Sequence, residues 1–204
     1  MRRARGFTLL ELMVAVGVLG ILASLSVDYF AKLANRNKQV GSVRDIYVYL
    51  LEARGQARVG NQPVRMDLQT GQRNGILAST LRWGRLPCDD TWGRNCPTSS
   101  CGRGTKCGSG CECSKEGEEL VIPAQVSFEN LDGLCFVGAT GQTRDSNCNP
   151  GDTAVGFVKL TLVDQPMPYV IVFDPLTGLG RLVDCTKPKS ERPESVVGGT
   201  DRCN

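Results

Sequence analysis

The fold is decided by the stretch GFTLLELMVAVGVLGILASLSV, residues 6–27. From Phe7 to Val27 it contains a single charged residue, Glu11. As an α-helix this run would be about 31 Å long, which is enough to cross the hydrocarbon core of a bilayer. It is preceded by three basic residues, Arg2, Arg3 and Arg5. Because basic residues favour the cytoplasmic side, we predict a membrane-inserted helix whose N-terminus stays in the cytoplasm.

Glu11 is the most informative residue of this helix. A carboxylate inside a membrane helix costs about 2.5–3.5 kcal/mol, so it usually has a partner. No Lys, Arg or His lies between Phe7 and Val27. A cut after Gly6 would create an α-amino group on Phe7, about one helical turn from Glu11. We therefore expect the carboxylate of one subunit to pair with the ammonium group of its neighbour; the alternative is a tolerated acid near the membrane surface.

The same residues resemble the class III signal of type IV pilins and type II secretion pseudopilins. The shared features are a glycine, an aromatic residue, a hydrophobic run and an acid at the fifth position after the glycine. The resemblance implies that prepilin peptidase cuts between Gly6 and Phe7 and methylates the new N-terminus. It also implies that Glu11 helps to set the subunit register during assembly. Major pilins often carry a proline in this helix, whereas the first proline here is Pro63.

The helix is predicted to continue beyond the apolar run. Charges appear from Asp28 onward, but apolar residues recur at helical spacing, which predicts an amphipathic helix packed on a sheet. Gly60 is a typical helix stop. The stripe consists of Leu33, Val40, Val43, Ile46, Tyr47, Leu50, Leu51 and Ala57. We therefore predict one helix from Phe7 to Val59.

Alternating apolar residues after the helix predict an antiparallel meander, and hence an α+β, pilin-like fold. The strands are predicted at residues 64–68, 76–83, 120–122, 125–128, 134–138, 154–163, 169–173 and 180–183. The predicted segments are a leader at 1–6, a membrane or filament-core helix at 7–27, an amphipathic helix half at 28–60 and a head at 61–204, with a Cys-rich insertion at 84–117.

Two further segments resemble the GspH/FimT family of minor pilins and pseudopilins. One runs from Leu51 through Arg58 to the strand at Val64. The other is the apolar strand from Val170 to Phe173 with the glycine turn that ends at Gly178. In that family the long helix ends in a stretch rich in Arg and Ala, and a strand near the C-terminus leads into a glycine turn.

Cysteine content indicates a disulfide-linked head. The ten cysteines are Cys88, Cys96, Cys101, Cys107, Cys111, Cys113, Cys135, Cys148, Cys185 and Cys203. The insertion is too poor in large apolar residues to form its own core, so we expect cross-links in an oxidising compartment to order it. An all-thiolate zinc site is the weaker alternative, because no CxxC pair occurs. Pairing is not deducible from spacing; Cys135–Cys148 and Cys185–Cys203 are hypotheses.

Catalytic and metal signals are weak. The chain has no histidine, which excludes Ser-His-Asp triads and imidazole metal sites. We predict no enzymatic activity and no cofactor. A calcium loop is a remote option at Asp145, Asn147, Asn149 and Asp152, but a proline replaces the turn glycine and no Glu follows at the twelfth position. An Asx-rich loop is the favoured interpretation.

Nucleic-acid binding is also weakly supported. Lys and Arg total 24 against 21 acids, so without the three N-terminal arginines the charges balance. Some members of the resembled family bind DNA through C-terminal basic residues. Here acids are interspersed among the basic residues of this region, which are Arg181, Lys187, Lys189, Arg192 and Arg202. A continuous phosphate-binding stripe is therefore not expected.

The leading hypothesis is a minor pilin of a type IV pilus, located in an initiation or tip complex. The alternatives are an H-type minor pseudopilin of type II secretion and a DNA-binding minor pilin for uptake. The expected partners are prepilin peptidase, other minor pilins, the major pilin, the inner-membrane assembly platform and a tip adhesin. We expect a single-pass inner-membrane protein with a periplasmic head. The insertion either binds a partner or protects the head against proteases without a ligand of its own. Trp83 and Trp92 either pack the base of the insertion or are exposed as anchors for a partner.

Overall fold

The computed structural model describes residues 9–73, 75–88, 97–102, 105–148, 153–163, 165 and 167–204. In this part of the chain a long α-helix is followed by antiparallel strands, which confirms the α+β prediction. The elements are α1 (Leu9–Gly60), β1 (Val64–Arg73), β2 (Ile76–Arg85), β3 (Lys115–Glu116), β4 (Leu120–Pro123), β5 (Val126–Glu129), β6 (Cys135–Phe136), β7 (Thr143–Arg144), β8 (Phe157–Leu162), β9 (Tyr169–Phe173), β10 (Gly180–Asp184), β11 (Val196–Val197) and β12 (Thr200–Asp201).

The chain divides into two compact units, Met1–Val40 and Gly41–Asn204. In the first unit α1 is apolar on all sides at its start. The large apolar side chains between Leu9 and Leu22 are 50–78% exposed in the single chain. Within the described residues, no helical stretch combines the length and the hydrophobicity that a membrane crossing requires.

In the second unit α1 buries one face. The buried residues follow the helical period, and they are Val43, Ile46, Leu50, Ala53 and Ala57. Tyr49 donates a hydrogen bond of 2.5 Å to the Glu118 carbonyl and accepts one of 3.3 Å from the Trp83 amide. Burial raises the pKa of Tyr49 to about 12, so the hydroxyl keeps the proton that it donates to Glu118 even at a pH at which an exposed tyrosine would ionise.

The first sheet is built on the hairpin of β1 and β2. Ten residue pairs join these strands, from Val64 opposite Arg85 to Arg73 opposite Ile76. The strand order is β3-β2-β1-β6-β7, and β4 also pairs with β2. The Cys-rich insertion leaves the sheet at the end of β2 and returns to it at β3, which pairs with that same end of β2. The insertion therefore begins and ends at one strand of the head.

The single meander predicted from the sequence is wrong in one respect, since the strands form separate sheets. The second sheet has the order β10-β9-β8-β5, and β11 and β12 form their own hairpin. All five residues of β9 are buried. A strand buried on both faces needs a covering layer on each side, which a one-sided meander on a helix does not supply.

The C-terminal tail supplies one of these layers. Phe157, Val172 and Val183 form a buried cluster with the disulfide between Cys185 and Cys203. The Arg202 guanidinium lies 4.3 Å from the centroid of the Phe157 ring, which is cation–π geometry.

Candidate functional site

The candidate assembly site is the exposed start of α1. Glu11 lies in the first helical turn and is exposed. Gly6 and Phe7, the predicted cleavage and methylation positions, lie outside the described residues. Apolar side chains this exposed on every side of a helix indicate a surface that another apolar phase covers, either lipid or other helices. This part of the helix is therefore suited to contact with lipid or with other apolar helices.

A second feature is the disulfide-linked head. The structure joins Cys101 to Cys111, Cys107 to Cys113, Cys135 to Cys148 and Cys185 to Cys203, with Cα–Cα distances of 4.8–5.4 Å. The last two pairs are those offered as hypotheses from the sequence. Cys88 is also disulfide-bonded, and Cys96 lies outside the described residues. Among the described cysteines every thiol is oxidised, so none of them is available as a zinc ligand.

Two of these disulfides pack against each other. The Cys101–Cys111 and Cys135–Cys148 bridges form one buried cluster with Leu86, and Cys113 packs on its edge. The sulfur atoms of Cys111 and Cys113 are 3.8 Å apart. The described insertion therefore has a core made of disulfides and one leucine, and this core is shared with β6 and with the loop that follows β7.

Arg65 holds the insertion onto the first sheet. Its side chain lies beneath the insertion, and the residue is only 7% exposed. The guanidinium donates hydrogen bonds to the carbonyl oxygens of Cys101 (3.1 Å), Gly102 (3.0 Å) and Ser146 (3.2 Å), and to that of Thr105. One cation thus ties together three backbone segments that have no regular structure of their own.

Burial and two nearby carboxylates act in opposite directions on the pKa of Arg65, and burial is the larger effect. Burial lowers the pKa of Arg65, while the carboxylates of Asp67 and Asp132 act in the opposite direction. Asp67 also pairs with Lys106 at 2.7 Å, and Asp132 accepts a 3.0 Å hydrogen bond from the Leu68 amide. In the sequence Arg65 alternates with the apolar Val64 and Met66, which is the pattern of an outward-facing residue, and no sequence signal indicates that the insertion covers it.

A third contact joins the end of α1 to the β9–β10 turn. Arg54 donates two hydrogen bonds to the Thr177 carbonyl, at 2.9 and 2.7 Å. The turn is closed by Asp174, whose carboxylate accepts hydrogen bonds from the amides of Leu176 and Thr177 and from the Thr177 hydroxyl. These bonds, those from Thr177 foremost, lower the pKa of Asp174. The two segments that resemble the GspH/FimT family are therefore in direct contact.

Comparison with known proteins identifies the N-terminal region. Residues 1–27 match the model of the prokaryotic N-terminal methylation motif. Over 37 residues the chain is 51% identical to the type IV major pilin protein PilA of Myxococcus xanthus (strain DK1622). The chain therefore carries a prepilin-type N-terminal signal and a segment similar to a type IV pilin. The aligned segment covers 18% of this chain and 17% of that relative, and no solved structure gives a significant match.

The residues that match the methylation motif include the predicted cleavage position and Glu11, and they end before the head. The resemblance of the head segments to the GspH/FimT family therefore stays a prediction. The head carries the disulfides and the Arg65 cluster, and its role is argued from its own contacts.

The surface of the insertion is small and polar in the described residues. Gly108, Ser109 and Gly110 form its exposed tip, and Glu112 and Ser114 are also exposed. Trp83 is buried at 1% exposure with its indole against Gly117, so it packs the base of the insertion. Trp92 lies outside the described residues. No large apolar side chain is exposed in the described part of the insertion.

The described half of the remote calcium loop is an ordinary turn. The Asp145 carboxylate accepts a 3.1 Å hydrogen bond from the Asn147 amide, which is an Asx turn. Asn149 and Asp152 lie outside the described residues. Among the described residues no cluster of acidic or cysteine side chains is arranged to hold a metal ion.

Two of the C-terminal basic residues are engaged within the head. Arg192 pairs with Asp201 at 3.3 Å, and both side chains are nearly buried. Arg202 lies on the Phe157 ring and donates a hydrogen bond to the Val197 carbonyl. Two of the five candidate phosphate-binding cations are therefore engaged in contacts within the head.

Gly84 provides a test of how tightly the insertion is packed. A Cβ atom at Gly84 would collide with the Cys107 sulfur and would lie 3.0 Å from the Cys113 sulfur. We expect Gly84→Ala to lower the free energy of unfolding by about 1–3 kcal/mol, because overpacking forces the disulfide away from β2. Urea denaturation of the oxidised protein measures this change. The matched control is Gly71→Ala in β1, where a Cβ meets nothing within 4 Å; equal losses in the two variants would contradict the packing described.

The tail should loosen in acid. Hydrogen bonds from the Ser195 hydroxyl and the Cys203 amide, together with Arg192, lower the pKa of Asp201. A carboxylate with a depressed pKa stabilises the fold above its ordinary value near 4, and this contribution is lost as the pH falls below it. We expect amide exchange in residues 195–203 to accelerate below about pH 4. Asp201→Asn should remove this pH dependence, whereas Asp45→Asn on the exposed face of α1 should preserve it.

Proposed function

We propose that this chain is a minor pilin of a type IV pilus that acts as a structural subunit of the initiation or tip complex. It is processed by prepilin peptidase between Gly6 and Phe7, and it is held in the inner membrane by α1 until assembly, with the head in the periplasm. The observation that carries the proposal is the prepilin-type N-terminus joined to a helix whose apolar side chains are exposed from Leu9 to Leu22.

The assembly step exchanges one apolar environment for another. Lipid tails and a bundle of apolar helices solvate leucine and valine about equally, so burial alone gives little direction. Specificity must then come from close packing and from polar groups that pair between subunits. Glu11 and the α-amino group created at Phe7 are candidates for such a pair, because they are four residues apart in the sequence and carry opposite charges.

The assignment to the minor pilins is supported by the way in which the head is cross-linked. Apart from β1 and β2 its described strands have two to six residues, and four described disulfides hold a large part of residues 101–203 in place. Such a head tolerates an exposed position that is open to proteases, as at a fibre tip. The polar surface of the described insertion favours a role in protease resistance over a role in adhesion. We assign no catalytic activity and no cofactor to this subunit.

Its proposed partners are other minor pilins, the major pilin, prepilin peptidase and the inner-membrane assembly platform. A tip adhesin is a further proposed partner. Nucleic acid is not among them, because Arg192 and Arg202 are engaged inside the head.

Deleting the gene tests this function against the pseudopilin alternative. We expect loss or strong reduction of surface pili and twitching, with secretion of exoproteins unchanged. Complementation with the full gene should restore piliation. Loss of exoprotein secretion with normal piliation would replace the proposal with an H-type minor pseudopilin of type II secretion.

A further inference from the structure

Two exposed aromatic side chains lie next to each other on α1. Tyr29 and Phe30 are 68% and 65% exposed, and their ring centroids are 6.2 Å apart in an edge-to-face arrangement. Lys32 and Arg36 follow on the helix and are also exposed. We call these four residues the aromatic–basic collar. Aromatic rings next to basic side chains are typical of the boundary between the hydrocarbon core of a membrane and its headgroups.

The position of the collar along the helix matches the thickness of a bilayer. From Leu9 to Phe30 the helix rises about 32 Å, and a hydrocarbon core is about 30 Å thick. Between these residues the described apolar side chains are exposed all round the helix. Tyr29, Lys32 and Arg36 are spaced so that they share one helix face, with the ring nearest the apolar run.

We propose that the aromatic–basic collar binds the headgroup layer of the periplasmic leaflet and sets the depth of α1 in the membrane before the subunit is assembled. The two rings lie at the level of the lipid glycerol groups, and Lys32 and Arg36 reach the lipid phosphates beyond them. Lipid is the occupant because the collar comes within two residues of the end of the apolar run, after Asp28, and carries the positive charges of Lys32 and Arg36, which complement an anionic headgroup layer. This inference rests on the proposed function, in which α1 is first a membrane anchor.

Tryptophan scanning of the full chain in lipid vesicles measures the depth of the collar. Tyr29→Trp and Phe30→Trp are reconstituted in phosphatidylcholine vesicles whose acyl chains carry bromine either near the headgroup or near the terminal methyl. The spectrum of the unsubstituted protein is subtracted as the background of the native tryptophans. Both variants should be quenched about twofold more by bromine near the headgroup than by bromine near the terminal methyl, because a ring at the interface is closer to the shallow label.

Two matched positions separate failure of this inference from failure of the proposed function. Leu19→Trp lies in the middle of the apolar run and should be quenched most by the deep bromine. Val163→Trp, on a head residue that is 72% exposed, should be quenched by neither. If Leu19→Trp escapes quenching, the membrane anchor itself is wrong. If Leu19→Trp is quenched but positions 29 and 30 are not, the anchor stands and the collar is overturned.

Binding of lipid headgroups by Lys32 and Arg36 is measured separately. Adding phosphatidylglycerol to the vesicles should increase the shallow quenching of Tyr29→Trp, and combining that variant with Lys32→Gln and Arg36→Gln should abolish the increase. The matched control combines Tyr29→Trp with Lys187→Gln and Lys189→Gln, which remove two exposed charges from the head. An increase that survives loss of Lys32 and Arg36 would contradict binding of the headgroup phosphates by the collar.

Discussion

Replacing Glu11 with glutamine is expected to reduce incorporation of the subunit into filaments at least about tenfold, a loss of about 1.4 kcal/mol or more in the assembly equilibrium. Glutamine keeps the size and hydrogen-bonding capacity of the side chain but removes its charge. Because transfer of the apolar helix from lipid to bundle is nearly neutral, loss of one charge-assisted contact should dominate the outcome.

The measurement compares the subunit in sheared filaments with the subunit in the membrane fraction by quantitative immunoblotting. Membrane levels should be unchanged, since the protein is still inserted and processed. Glu52→Gln is the matched control, because it removes an exposed carboxylate from the same helix within the head. If Glu11→Gln enters filaments as well as the unsubstituted protein, Glu11 does not act in assembly.

Arg65→Ala should be among the most destabilising single substitutions in the head. It leaves the carbonyl oxygens of Cys101, Gly102, Thr105 and Ser146 without their donor in a buried site. Unsatisfied buried groups cost about 1–3 kcal/mol each, and partial hydration of a relaxed loop offsets part of this sum. We expect the free energy of unfolding to fall by about 3–4 kcal/mol, together with a lower yield of native disulfides on oxidative refolding.

Two comparisons show whether the geometry of Arg65 matters. Arg65→Lys keeps the charge but cannot reach several carbonyls at once, so its loss should be intermediate. Arg82→Ala removes an arginine on the exposed part of the neighbouring strand, where it pairs with Glu116 and Glu119 at 2.9 and 2.7 Å. Such exposed pairs contribute about 0–1 kcal/mol. A loss for Arg65→Ala as small as that for Arg82→Ala would contradict its role as the organiser of the insertion.

Helices and strands were predictable from the sequence where the segment is long enough to show a side-chain periodicity. The helix predicted to end at Val59 ends at Gly60, and the strand predicted at 169–173 has those bounds in the structure. Strands β3, β7, β11 and β12 were not predicted, because a strand of two residues carries no periodicity. The strand predicted from Leu134 to Gly138 is shorter, since Gly138 packs directly on the backbone of residues 61 and 62 and the chain turns there.

The insertion and its support could not be derived in the same way. Disulfide pairing depends on which loops meet in space, and two cysteines six residues apart look the same whether or not they are joined. Arg65 alternates with Val64 and Met66 as an outward-facing residue of a half-buried strand would. Its burial follows from the insertion that folds over that face, which is a tertiary effect that the local pattern does not contain.

The central claim is that the subunit begins at Phe7 after prepilin processing. Intact and peptide mass spectrometry of the native protein, purified from membranes without reduction, tests this most directly. We predict an N-terminal peptide that starts at Phe7 and carries one added methyl group, together with the disulfide-linked peptides that join Cys135 to Cys148 and Cys185 to Cys203. A mature protein that starts at Met1, or one that is cut after residue 23 or later, would contradict the account.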